Sequence, residues 1–418
     1  MKPTWLSADE AARQLGVKRE TLYAYVSRGL IRSTAKGGAT RERLYAREDV
    51  ERTRRRAEDR RDPSAIATHA LSLGSPVLES RITLIENGRL YYRGLDAVQL
   101  SRTRSIAQIA SFIWNVSLDS LPARARGSAP LGARTLPFLP RAQTMLATAA
   151  ARDAAAFDLR TAAVAATGAR ILDLMTFAAS GIAAKPDEEA IEARLVRGWK
   201  LDRRAGGVLR AAIILCADHE LNVSTFTARC VASAGGSPYG AVIAGLSALE
   251  GVRHGGLTTR VESMLAAMRR ERRGAEALGA RLREGTPIDG FGHPLYADGD
   301  PRAQELFTLL ERNYRRSAEL AFTRSIADAG RSMLDAHPSL DFALASVSRV
   351  LGLPPGSGLV LFAIGRTIGW IGHAIEQYAS GELIRPRARY TGESPERPAD
   401  SNLTRRSAAV RRESVSRA

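Results

Sequence analysis

From about residue 70 to 392 the chain is dominated by long Ala- and Leu-rich stretches, and nothing else in the sequence constrains its fold as strongly. Both residues lose little side-chain freedom in a helix and rank among the strongest helix formers. Aromatic residues are only 6% of the chain. A mainly α fold of packed helices is therefore expected. At 418 residues there is room for two or three domains.

The same sequence argues against several classes. No apolar run reaches the roughly 20 residues that span a bilayer. Met1-Lys2-Pro3-Thr4-Trp5 lacks the apolar core of a secretory signal. Cys216 and Cys230 cannot build a disulfide framework. The expectation is a soluble, cytoplasmic protein without a membrane partner.

Three parts are visible. Residues 1–62 form a compact unit closed by the charge run Glu51–Asp62, and a break around Asp62-Pro63-Ser64 leads into the central part. The tail at 393–418 is rich in Pro, Ser and Arg and is expected to be disordered. Charge is uneven. Residues 1–62 hold 16 Lys+Arg against 10 Asp+Glu, and 401–418 hold five Arg against one Glu, within a net charge of +17. Such surpluses suit either polyanion contact or solubility.

The first unit reads as helix, turn, helix, wing. Ser7-Ala8-Asp9-Glu10 is a capping box, Ala11 and Leu15 supply an apolar stripe, and Gly16 allows a tight turn. A second helix begins near Lys18 with Leu22 and Val26 inward and Arg19, Thr21, Tyr23 and Ser27 outward, and Gly29 stops it. Gly37-Gly38 turns a hairpin between Ile31-Arg32-Ser33 and Arg43-Leu44-Tyr45, and Arg47-Glu48-Asp49-Val50 opens a third helix. This order resembles the MerR/excisionase-like winged helix, whose second helix enters the major groove. The resemblance implies possible DNA contact through Arg19, Thr21 and Tyr23, with Arg41, Arg43 and Arg47 meeting phosphates. A module that only packs or dimerises fits the same residues.

The chemistry concentrates at histidines. Cys216-Ala217-Asp218-His219-Glu220-Leu221-Asn222 crowds polar groups onto the end of an apolar helix, 208–215. Cys216 and His219, three apart, would share a helical face, but no second pair at zinc-like spacing follows, so no metal site is expected. Gly251-Val252-Arg253-His254-Gly255-Gly256 places a histidine in a glycine-lined bend. Gly290-Phe291-Gly292-His293-Pro294-Leu295-Tyr296 repeats the device, ahead of Asp300-Pro301-Arg302. Glycines there let backbone approach a ligand closely, and a histidine so placed can be aimed at a carbonyl. His373, like these three, stands in clustered, Gly-rich or charged surroundings, while His69 and His337 look incidental.

These segments, with Ser339-Leu340-Asp341-Phe342, Gly365-Arg366-Thr367-Ile368-Gly369-Trp370 and Ile384–Gly392, resemble the successive motifs of citrate synthases. Upstream, Glu79–Ile85 and Leu90–Gly94 resemble the family's entry segment, so the likeness runs from about 79 to 392. It implies a nearly all-helical subunit with a large domain at 70–256 and 348–392 and a small domain at 257–347. It also implies condensation of acetyl-CoA with oxaloacetate, without a cofactor, in a homodimer. By position in the motifs, His254 would hydrogen-bond the thioester oxygen while Asp341 removes a methyl proton, and His293 would polarise the ketone. His219, Arg302 and Arg366 would hold the carboxylates, together with Arg385 from the neighbouring subunit.

Two departures from the family pattern stand out. Cys216 replaces a frequent His, and Pro294–Gly299 lacks the cations that help hold coenzyme A phosphate, so coenzyme A is expected either to bind more weakly or to draw on other arginines such as Arg253. Three functions fit: a citrate synthase, a 2-methylcitrate synthase using propionyl-CoA, or a DNA-binding regulator that senses a metabolite with a citrate-synthase-like domain. A sensor needs the arginine clamp but has no need of Asp341.

Overall fold

The structure is a computed structural model that describes residues 5–27, 30–35, 42–51, 53–54, 78–117, 135–183, 190–270, 274–388 and 390–393. Arg41, the Gly29 stop, the Gly37-Gly38 turn, the 62–64 break and the tail from 394 lie outside them. The chain divides into two compact units, Met1–Ser80 and Arg81–Ala418.

In the first unit, β1 (Trp5–Leu6), β2 (Ser33–Ala35) and β3 (Arg43–Ala46) form an antiparallel sheet in the order β1-β3-β2. Ser33 pairs with Tyr45, so the hairpin forms as expected but begins two residues later than Ile31. The short β1, pairing Leu6 with Tyr45, carries no periodic signal in the sequence. Helices α1 (Ala8–Leu15) and α2 (Arg19–Ser27) pack beside it. Ser7 accepts from the Glu10 N–H while Glu10 accepts from the Ser7 N–H, and Gly16 ends α1 at φ 64°. The small core is Leu6, Ala11, Ala12, Leu22, Ile31, Tyr45 and Val50. A helix opens at residue 47, where the sequence placed it.

The second unit is mainly helical. A hairpin of β4 (Thr83–Glu86) and β5 (Arg89–Tyr92), extended by β6 (Leu95–Asp96), leads into α3 (Ala97–Thr103) and α4 (Ile106–Trp114). There follow α5 (Phe138–Ala150), α6 (Thr161–Ser180), α7 (Ile191–Gly198), α8 (Ala205–Leu215), α9 (Val223–Ser233) and α10 (Pro238–Leu249). Next come α11 (Gly256–Arg270), α12 (Ala275–Arg283), α13 (Pro301–Tyr314) and α14 (Ala318–Leu334), then α15 (Leu340–Val350) and α16 (Ser357–Ser380).

Helix α16 is the axis of this unit. Contrary to the expectation that no segment is long and apolar enough, α6 and α16 both suffice to cross a membrane by length and composition. The most apolar window of α16 is 94% buried inside the fold, and that of α6 is 61% buried. In both, Gly, Ala, Ser and Thr among the Leu and Ile blur the apolar run in the sequence. Small residues let α16 sit close to its neighbours. A methyl group on Gly365 would lie 2.3 Å from the Ile213 carbonyl oxygen, and one on Gly369 2.3 Å from that of Ala217. The end of α8 and the turn after it therefore lie directly on α16. Trp114 and Trp370, both fully buried, donate to the Ile368 carbonyl and to Ser224 Oγ, fixing α4 and α9 on the same helix.

Candidate active site

Helix α8 stops at Leu215, with Cys216 as its C-cap. Residues 216–219 thus run through a turn, and the shared helical face inferred for Cys216 and His219 does not arise. The turn carries His219 inward, where Nε2 lies 2.9 Å from the Tyr296 hydroxyl. The His219 and His293 rings meet edge to face with centroids 5.2 Å apart, and the Tyr296 ring lies 4.8 Å from His293. Arg302 closes the group with its guanidinium 5.3 Å from the Tyr296 ring centre.

His293 stands on a loop bent by Gly290 (φ 90°) and Gly292 (φ 75°), conformations that suit glycine. The loop is pinned by the Gly292 N–H donating to the His337 carbonyl and the Ser339 N–H donating to that of Gly290. His337 thus contributes through its backbone, a role that its side-chain type could not announce. Asp300 caps α13, accepts from Nε and Nη2 of Arg302 at 2.9 and 2.7 Å, and accepts from the Leu340 N–H at 3.1 Å. The start of α15, and with it Asp341, is thereby tied to Arg302.

Asp341 retains some exposure, but protein surrounds its carboxyl, and that burial pushes its pKa up to about 6. Thr258, in the first turn of α11, donates to it. His254 precedes α11 in the bend 251–255, with Nε2 2.7 Å from Ser224 Oγ and its ring 5.7 Å from Phe362. Burial, then the charge of Arg366, brings its pKa down to about 4, so the ring is neutral at pH 7. Burial also lowers His219 well below the ordinary range and, to a lesser degree, His293.

Arg366 is 1% exposed. Its Nε donates to the Cys216 carbonyl at 2.9 Å, and its guanidinium lies 4.7 Å from the Phe362 ring, which the His254 ring also meets edge to face. Its Nη1 has no partner among the described residues. Of the residues singled out in the sequence, His219, His254, His293, Arg302, Asp341 and Arg366 are linked by these contacts. Arg385 is not; it lies on the exposed segment after α16. Arg253 is exposed beside His254. No role was expected for Tyr296, which closes the His293 motif, or for Ser224 and Thr258, although Thr258 falls four residues after His254. Two cavities flank the group. One of about 730 Å³ borders Leu295 and Ala297–Gly299, and one of about 790 Å³ borders Val252, Gly256, Arg260 and Arg281.

In the first unit, Tyr23 is 51% exposed, and Arg19 is exposed but ion-paired with Asp9. Arg43 donates to Ser33 Oγ, and Arg47 lies 4.0 Å from Glu51. Thr21, expected outward, is half-buried, because its position precedes the inward Leu22 on the flank of α2.

A family model described as citrate synthase, C-terminal domain, matches residues 72–387, and one for a helix-turn-helix domain matches residues 5–57. Citrate synthase 2 of Bacillus subtilis is 39% identical over 184 residues, 43% of this chain and 50% of that protein. The 2-methylcitrate synthase 2 of Corynebacterium glutamicum is 33% identical over 185 residues, 44% and 48% of the two chains. The chain thus spans about half the length of the curated relatives it matches. The crystal structure of citrate synthase from Thermotoga maritima superposes with a TM-score of 0.65 at 25% identity, covering 80% of this chain and 99% of that one. The ternary complex of citrate synthase from Thermoplasma acidophilum with carboxymethyl coenzyme A and oxaloacetate gives 0.67 at 21% identity, covering 79% and 97%; this is a likeness of fold.

Proposed function

The chain belongs to the citrate synthase family and carries an N-terminal helix-turn-helix domain, and from that premise we propose that it condenses acetyl-CoA with oxaloacetate and water to give citrate and coenzyme A. The observation that carries this reading is one group of residues that holds a buried carboxyl, Asp341, under the charge of Arg302 and a neutral imidazole, His254, under that of Arg366, with both arginines buried.

A thioester methyl proton is weakly acidic, so a carboxylate base succeeds only if the charge forming on the oxygen meets a donor. Asp341, with a pKa near 6, is ionised at neutral pH yet basic enough to accept that proton. A neutral ring carries one N–H. It meets the thioester oxygen from Nδ1 when Ser224, whose hydroxyl donates to Asn222 Oδ1 at 2.7 Å in this structure, turns that hydrogen onto Nε2 of His254 instead. The methyl carbon then attacks the ketone carbon of oxaloacetate, and His293 gives its proton to the new alkoxide. Water finally cleaves the thioester, releasing citrate and coenzyme A. His219, Arg302 and Arg366 would hold the two carboxylates, with Arg385 reaching in from the second subunit of a dimer. Residues 257–347 would form the small domain facing the large one.

Propionyl-CoA is the alternative acyl donor, since citrate and 2-methylcitrate synthases both appear among the relatives. The test is direct. Purified protein, oxaloacetate and each acyl-CoA are mixed and free thiol is followed. Release from neither thioester would overturn the enzymatic reading and leave the metabolite-sensing one.

The N-terminal unit would bind duplex DNA through α2. Its exposed Arg19 and Tyr23 and the surplus of positive charge in residues 1–62 support that role.

A further inference from the structure

His373 is fully buried on α16, and the chemistry above does not use it. It shares one face of that helix with Arg366, Trp370 and Gln377, at spacings of four, three and four residues. Its Nε2 lies 3.3 Å from Oδ2 of Asp218, the residue beside His219. Thr83 donates to the same oxygen. Oδ1 of Asp218 has no partner among the described residues and rests on α16 where Gly369 leaves space, 2.5 Å from where a methyl group would be. Behind His373, Nδ1 is 3.9 Å from Glu376, whose other contacts are Arg229 at 3.7 Å and the Arg81 N–H at 2.8 Å.

A fully buried carboxylate beside a buried guanidinium has two choices. It can swing onto the cation, or be held back by other donors. Arg366 keeps Nη1 without a partner, so the second arrangement is the one observed. Burial alone would raise the pKa of Asp218; His373 first, then Arg366 and Thr83, outweigh it and keep the group ionised.

We infer that His373 is a positioning residue of the dicarboxylate clamp: through its bond to Asp218 it holds that carboxylate off Arg366 and fixes the turn that carries His219. This rests on the proposed oxaloacetate site. Without the bond, Asp218 reaches Arg366 and competes with the incoming carboxylate, so oxaloacetate binding weakens while the proton abstraction at Asp341 is spared.

The test compares H373Q with H373M in the full chain. The two side chains are similar in size, and only glutamine can donate to Asp218. The expected result is a KM for oxaloacetate raised about tenfold or more in H373M, with kcat at saturation changed by less than about threefold. H373Q should stay within about threefold of wild type on both. T83V, which removes the second donor, should raise the KM in the same direction by a smaller factor and serves if H373M fails to fold. Oxaloacetate binding without thioester, followed by calorimetry, reads the clamp whether or not the protein turns over. Equal oxaloacetate affinity in H373M and H373Q, or an unchanged affinity in T83V where H373M does not fold, overturns the inference. Wild-type protein that binds oxaloacetate but releases no thiol overturns the catalytic reading alone. Wild-type protein that binds no oxaloacetate overturns both.

Discussion

Thr258, in the first turn of α11, donates its hydroxyl proton to Oδ1 of Asp341, in the first turn of α15. The bond spans two helices that are far apart in sequence. It also satisfies one oxygen of a buried acid that would otherwise be costly to ionise.

Replacing Asp341 by Asn keeps the volume and the acceptor for Thr258 but removes the base. The expected loss is in kcat, by at least about 10²-fold, with oxaloacetate affinity nearly unchanged. Steady-state kinetics and direct binding check it. More than about a tenth of wild-type kcat would assign the base elsewhere.

The two histidines should fail differently. H254A is expected to abolish exchange of the acetyl-CoA methyl protons with solvent, because the enol(ate) oxygen loses its donor. H293A should still bind oxaloacetate, without the shift of its ketone carbonyl in infrared or carbon NMR. A persisting shift in H293A would remove that residue from its proposed role.

Activity and stability should respond oppositely to pH at Asp341. With a pKa near 6, kcat/KM is expected to fall as pH drops below 6 and the base becomes protonated. The folded value lies above the ordinary one, so the folded chain binds the proton more tightly than the unfolded chain. The resulting stability is present below about 4 and lost as pH rises through 6. D341N should therefore gain on wild type between those values by roughly 2–3 kcal/mol, seen as a difference in melting temperature that widens from pH 4 to 8. A difference independent of pH would mean the carboxyl is solvated.

Mixing R385A with D341N protein should restore activity through hybrid dimers, each with one intact and one doubly defective site. Statistical exchange predicts about a quarter of wild-type turnover. No recovery, with exchange of subunits verified, would place Arg385 outside the neighbouring site.

Selection from random duplexes by the full chain at about physiological salt should enrich a two-fold-symmetric site, with affinity falling steeply as salt rises. Removing residues 1–62 should leave turnover intact. If nothing is enriched and truncation lowers kcat, the domain serves the enzyme rather than DNA.

The order of motifs made the helical fold and six of the gathered residues legible, because each motif keeps its chemistry within a few neighbours. What the sequence concealed is of another kind. Tyr296 meets His219 across 77 residues, Thr258 meets Asp341 across 83, and His373 meets Asp218 across 155. Contacts at such separations depend on helix packing that no local pattern encodes. The two-residue strand β1 was concealed for a different reason: it exists because β3 offers it a ladder, not because Trp5 and Leu6 alternate.

The glycines of α16 bear on how the site can move. At 365 and 369 the helix meets backbone carbonyls with no slack, and at 372 a methyl group would lie 2.7 Å from Ile113. A rod keyed at three points along its length can neither slide nor roll without unseating them. Arg366 and the turn bearing His219 thus form an anvil. Any closure around a substrate is expected to carry the His293 loop and the head of α15 together, since the Ser339 N–H donates to the Gly290 carbonyl and the Leu340 N–H to Asp300.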